Sequence, residues 1–243
     1  STSGSRLLNG TNRLHETLEA RLADFKKVEA VTVFQSGYMA NLGVISALAG
    51  KDDVVIVDKL VHASILDGCT LAGAQVRSFK HQNLASLEKV LQSLGSGVCK
   101  LVVVDGIYSM DGDFAKLPEI IALAHRHGAR VMVDDAHATG VAGPNGRGSA
   151  EHFGIAEPDI VTGTLSKAFG GIGGDLQAGG GLAGAASRLP INCSIPAMRN
   201  GLRRIGVAAK RAGRIPARAW PVVKAKGMAR SCSTASCCSA TRT

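Results

Sequence analysis

The chain has 243 residues, 45% of them hydrophobic and 19% charged. That composition is too apolar for a wholly disordered polymer and long enough to bury a substantial core, while no run of about 18 apolar residues offers a membrane span. All 19 acidic residues lie at or before Asp175, against 16 Lys and Arg, a balance of −3; residues 176–243 carry 12 Lys and Arg and no acid, so the net +9 belongs to the tail. A nucleic-acid partner inferred from overall charge would fit that tail and not the protein, and none is expected. No basic-then-apolar leader opens the chain, which makes the cytoplasm the expected compartment. Six cysteines in this length do not make a disulfide scaffold.

Leu14, Leu18, Leu22 and Phe25 recur at helical spacing and predict an amphipathic helix over 13–27. A short apolar run, 31–34, follows, and Ser36-Gly37-Tyr38 leads into a helical stretch to about Ala49. Val54–Asp58 has a buried-strand pattern, with a helix over 63–72 behind it and another short strand at 76–79. Asn83 is placed to cap a helix that carries Leu84, Leu87, Val90, Leu91 and Leu94 on one face. Leu101–Asp105 is a strand, Pro118–Arg126 a helix, Arg130–Asp134 a strand, and Ile160-Val161 begins one more. Continuous β-branched runs alternating with helices predict an α/β fold, a mostly parallel sheet with helices on both faces. Ligands in such folds sit beyond the carboxyl ends of the strands, which gives Asp58, Asp105 and Asp134 functional weight.

Residues 175–243 have another texture. Ala, Gly, Arg and Ser dominate, the only aromatic is Trp220, and Ser231–Thr243 is low-complexity. Such a composition is what out-of-frame translation of a GC-rich gene would yield; a natural disordered basic tail is the alternative. Cys193, Cys232, Cys237 and Cys238 lack the paired spacing of a zinc site and have no neighbouring His, so no metal is expected. Cys69 and Cys99 read as small buried hydrophobes.

Four segments carry chemistry. In Gly163-Thr164-Leu165-Ser166-Lys167-Ala168-Phe169-Gly170-Gly171 a single Lys sits among small residues after a buried strand. It is either an ordinary loop Lys or a partly desolvated amine able to attack a carbonyl and form a Schiff base. Asp134 ends a strand with His137 three residues on, as a carboxylate paired to a protonated ring nitrogen or as a simple turn cap. Ser36-Gly37-Tyr38-Met39-Ala40-Asn41 puts Gly at a helix N-terminus, a natural phosphate site. His62 lies just past a strand end, structural or functional.

Phosphate turn, ring-facing His, strand-end Asp and Lys, in that order, resemble the parts of a pyridoxal 5'-phosphate (PLP) site. The segments GSRLLNGT, HETLE, SGYMANLG, HASILDG, GIYSMDGD, DDAHATG and GTLSKAFGG are similar to those of the α-oxoamine synthases, a group of fold-type I PLP enzymes that includes serine palmitoyltransferase and 8-amino-7-oxononanoate synthase. The similarity runs from about Gly4 to Gly174 and implies an incomplete large PLP-binding domain over 1–174, followed by an unrelated tail over 175–243. It implies that Lys167 holds PLP, Asp134 pairs with the pyridine nitrogen, His137 meets the ring oxygen, and His62 stacks on the ring. Thr164, Gly37 and Tyr38 would hold the phosphate, and Ser109 would lie beside the ring oxygen, with Asn41 in the same pocket.

The implied reaction condenses an amino acid (serine, alanine or glycine) with an acyl-CoA and releases carbon dioxide. The pattern leans toward serine palmitoyltransferase on Arg6–Thr11 and Gly106–Met110. An aminotransferase of the same fold and a non-catalytic remnant are the alternatives. Members of the group are homodimers and longer at both ends, which implies little or no activity for these 243 residues alone.

Overall fold

In the computed structural model, the described residues are Gly4, Arg6, 10–156 and 158–178. The chain begins with α1 (Arg13–Lys26), whose N-terminus is closed by Asn12: its side chain accepts from the N–H groups of Leu14 and His15, and Lys27 ends the helix in the left-handed region at φ 57°. Then come β1 (Ala30–Phe34), α2 (Gly37–Leu48), β2 (Val54–Asp58), α3 (Ala63–Ala72), β3 (Gln75–Phe79) and α4 (Leu84–Gln92). These are followed by β4 (Lys100–Asp105), α5 (Leu117–Arg126), β5 (Arg130–Asp134), α6 (Ser149–Phe153), β6 (Ile160–Thr164) and β7 (Gly174–Ala178). The expected elements stand where the periodicity put them, and Asn83 caps α4 by accepting from the Ser86 N–H.

The seven strands form one sheet in the order β1-β7-β6-β5-β4-β2-β3. All neighbouring pairs are parallel except those made by β7, which runs antiparallel to both β1 and β6. Alternation along β2 divides the core: Val54 and Ile56 pack with Leu87, Leu91, Leu117 and Ile120 on one face, and Val55 and Val57 pack with Val44, Ile45 and Ile65 on the other. Helices therefore cover both faces, as the continuous apolar strands require. The order reverses between β2 and β4: β3 was added on one side of β2, and β4, β5 and β6 are added on the other. The crevice at such a switch point is where ligands bind in open α/β sheets.

Three features differ from expectation. Strand β7 crosses the expected boundary at Gly174 and pairs on both sides as far as Ala178, so the sheet takes in residues 175–178 of the segment assigned to the tail. Helix α6 is additional; at five residues between Gly148 and Gly154 it is too short to show a period. Cys69 is fully buried and Cys99 is half-buried, less enclosed than expected. The tail cysteines and the out-of-frame reading lie outside the described residues. Among the described residues no helix is long and apolar enough to cross a membrane.

Candidate active site

A cavity of about 210 Å³ opens beyond the carboxyl ends of the parallel strands. Its lining brings together Gly37, Tyr38, Asn41, His62, Asp134, His137, Thr164 and Lys167, gathered from α2, the β2–α3 turn and the ends of β5 and β6. Ser109 is the exception: it is exposed on the turn after β4 and is not in the lining. That turn is folded on itself by Gly112 N–H to Tyr108 O and Tyr108 N–H to Asp113 O hydrogen bonds, which carry Ser109 outward. Asp58 is occupied elsewhere: it accepts from Leu60 N–H, Gln82 N–H and His81.

Strand pairing aligns Asp105 with Asp134, so two carboxylates share one end of the cavity. Burial pushes the Asp105 carboxyl up to about 8, and the neighbouring charge of Asp134 adds to it. The Lys167 amine lies 2.7 Å from His137 Nε2. Burial lowers the Lys167 pKa, while the charges of Asp134 and Asp105 pull against that. Burial also lowers the His137 pKa, with the Lys167 charge adding to it. The site thus holds an amine close to carboxylates and beside an imidazole disposed to be neutral.

At the other end of the cavity stands the N-terminus of α2. Ser36 caps it by accepting from the Met39 N–H, and Ser36, Gly37 and Tyr38 line the cavity together with Thr164 and Ser166, whose hydroxyls are 2.8 Å apart. Gly37 packs closely here, since a Cβ would come within 3.1 Å of Thr164 Cβ and would require Thr164 to give by a few tenths of an ångström. Gly174 is stricter: a Cβ there would sit 2.3 Å from the Ser36 backbone, so only glycine lets β7 pass beneath the turn.

Asp105, Ser64, Ser36, Ala136 and Ser166 also line the cavity and were not singled out by the motifs. Asp105 carried the same strand-end signal as Asp134, and pairing in adjacent parallel strands is what selects it over Asp58.

These donors fit PLP. Lys167 offers an amine for the aldehyde, Asp134 a carboxylate only 7% exposed for a ring N–H, and the α2 N-terminus with its two hydroxyls a cradle for a dianion.

The chain belongs to the aminotransferase class I and II family, whose sequence profile matches residues 1–176. Within that family its relatives are α-oxoamine synthases, as the motifs indicated. It is 52% identical over 171 residues to 8-amino-7-oxononanoate synthase of Thermoanaerobacter pseudethanolicus, a match covering 70% of this chain and 43% of that protein. It is 41% identical to serine palmitoyltransferase from S. paucimobilis solved with a bound PLP–myriocin aldimine, with a TM-score of 0.72 over 85% of this chain and 55% of that one. It is 28% identical to 8-amino-7-oxononanoate synthase from Francisella tularensis, with a TM-score of 0.63 over 82% and 60%. The chain spans less than half the length of the curated relative.

Proposed function

We propose that this chain is the cofactor-binding portion of a PLP-dependent acyltransferase that condenses an amino acid with an acyl-CoA, losing carbon dioxide, to give an α-oxoamine. The observation that carries the reading is the meeting of Lys167, Asp134 and the α2 N-terminus around one cavity. PLP, when bound, supplies an electron sink for the negative charge that develops at the amino acid's α-carbon.

The chain's own residues do the rest. Lys167 Nζ would be the group that holds the cofactor's aldehyde and, when free, the base that takes the amino acid's α-proton, a role suited to an amine whose pKa burial has lowered. Asp134 keeps a proton on the ring nitrogen. His137 would serve the ring oxygen, and His62 would cover the ring and help orient the amino acid. Thr164, Ser166 and the Gly37 and Tyr38 backbone hold the phosphate. The reading extends to a homodimer working in the cytoplasm. Serine, alanine and glycine are the candidate amino acids; curated similarity favours the 8-amino-7-oxononanoate synthase pairing, alanine with a pimeloyl thioester, over the serine palmitoyltransferase lean of the motifs.

Titration of the purified chain with PLP tests this by absorbance. A visible band that is lost in Lys167→Ala, with the variant's melting unchanged, is the expected result; no band in the wild type, or a band indifferent to the substitution, would sink it. An aminotransferase, which the family description also admits, is separated by product, because only the condensation releases coenzyme A.

A further inference from the structure

One buried side chain stands between the two halves of the cavity. Asn41 is 1% exposed and projects from α2 into a cluster of Asp134, Thr162 and Ser64. Its amide lies with Nδ2 2.6 Å from Asp134 Oδ2 and 2.9 Å from Ser64 Oγ, and with Oδ1 2.7 Å from Thr162 Oγ1. The orientation follows from chemistry. Turned over, the amide would place its carbonyl oxygen against a carboxylate oxygen, two acceptors with no proton between them. Nδ2 therefore donates to Asp134 and Ser64, and the Thr162 hydroxyl donates to Oδ1.

Ser64 Oγ accepts from Asn41, which leaves its hydroxyl proton for His62 Nδ1, 2.7 Å away. The Ser64 backbone N–H also points at Nδ1, at 3.3 Å. A ring nitrogen facing two donors carries no proton of its own. The His62 ring proton therefore belongs on Nε2. On the other branch, Asp134 is fixed through both oxygens, Oδ2 by Asn41 and Oδ1 by the Ala136 N–H at 3.0 Å.

We propose that Asn41 is the positioning residue of the site, its amide aiming the Asp134 carboxylate into the cavity and, through Ser64, holding His62 in the Nε2–H tautomer. A single amide on α2 thereby sets the group below the ring nitrogen and the hydrogen-bonding face of the group that covers the ring. This rests on the PLP reading for its purpose, and for its geometry on hydrogen bonds that are buried around Asn41 and partly buried at His62.

The test is nitrogen-15 NMR of histidine-labelled protein without cofactor, with the His62 signals assigned by their loss in His62→Gln. In the wild type Nδ1 is expected bare and Nε2 protonated; a proton on Nδ1 would overturn the proposal. Asn41→Asp keeps the shape but offers Ser64 an acceptor, turning its hydroxyl away from His62, and Ser64→Ala removes that hydroxyl. Each is expected to raise the Nδ1–H population about tenfold, the effect of losing one hydrogen bond worth about 1.4 kcal/mol, and Ser64→Thr is expected to restore the wild-type signal. An unchanged tautomer in folded Ser64→Ala would overturn the relay even if Asn41→Asp failed to fold. PLP titration of the same wild-type sample separates the two readings: no visible band together with an Nε2–H tautomer would overturn the cofactor assignment while supporting the relay.

Discussion

Asp105 is the residue whose ionisation most strongly couples the site to folding. Its carboxyl is pushed to about 8 in the folded chain, by burial first and by Asp134 second, against about 3.9 when unfolded. A raised folded value means that the native state holds a proton the unfolded chain has released. The stability this confers is complete below about pH 4 and is lost as pH climbs toward 8, at no more than about 1.4 kcal/mol per unit. Asp105→Asn removes the titration, so the variant is expected to gain on the wild type steadily between pH 4 and 8 in urea unfolding. A constant difference between the two across that range would show that Asp105 is not the group responsible. The same residue marks the limit of sequence reading at this scale. Lys167, Asp134, His137 and His62 were legible because each sits at or just after a strand end in a specific segment, and the cavity gathers all four. Asp105 was marked only as one strand end among three and Ser64 not at all, since what selects them is register between strands and a hydrogen bond across a turn. Ser109 lies outside the cavity lining, because a motif gives the order of residues and not the direction in which a turn throws them.

Elements were legible where hydrophobic period and capping agreed. Apolar β2 and β4 and the Asn83-capped α4 needed no tertiary information. Strand β7 is the opposite case: GDLQA has no apolar run, and it is a strand because β1 and β6 hold it on both sides. The fit is imperfect. Asp175 and Gln177 are 1% and 0% exposed, and although Gln177 Nε2 donates to Asp175 Oδ2 at 2.6 Å, Asp175 Oδ1 and Gln177 Oε1 have no hydrogen-bond partner among the described residues. Burial raises the Asp175 pKa in consequence. Two unsatisfied buried acceptors each cost about 1–3 kcal/mol, whereas replacing both groups by apolar ones removes that cost. The double variant Asp175→Val, Gln177→Leu is therefore expected to be more stable than the wild type by about 1–3 kcal/mol. Gln177→Leu alone strips the carboxylate of its donor and is expected to be less stable than the wild type. Chemical denaturation of the three chains decides it, and a double variant weaker than the single one would refute the account.

Across the whole molecule, the fold class and its mostly parallel core followed from alternation of apolar strands and helices, whereas the switch point came from the strand order. What alternation does not reveal is how the first helix is anchored. Leu22 is the main apolar residue that α1 buries, and beside it lies Lys26, 2% exposed. The Lys26 amine reaches Thr139 Oγ1 at 2.9 Å and the Arg147 carbonyl, and stands 3.7 Å from Asp135. It thus ties residues near the start of the described chain to the end of β5 and the turn before α6, directly behind the site. Asp135 itself is fully enclosed, accepts from the Ser149 hydroxyl and N–H, and has a pKa that burial raises against the opposing charge of Lys26. Removing one member of a buried pair leaves the other uncompensated, which costs about 3–5 kcal/mol. Lys26→Met is expected to lose stability of that order at pH 8. Without the cation the folded Asp135 pKa rises further, so protonation rescues the native state at low pH and the deficit grows as pH rises through the folded value. At pH 5 the loss is expected to be smaller, and adding Asp135→Asn to Lys26→Met is expected to recover part of it and to flatten the pH dependence. Melts of the single and double variants at the two pH values are sufficient: an equal deficit at both would mean that α1 is held by its packing and not by this ion pair.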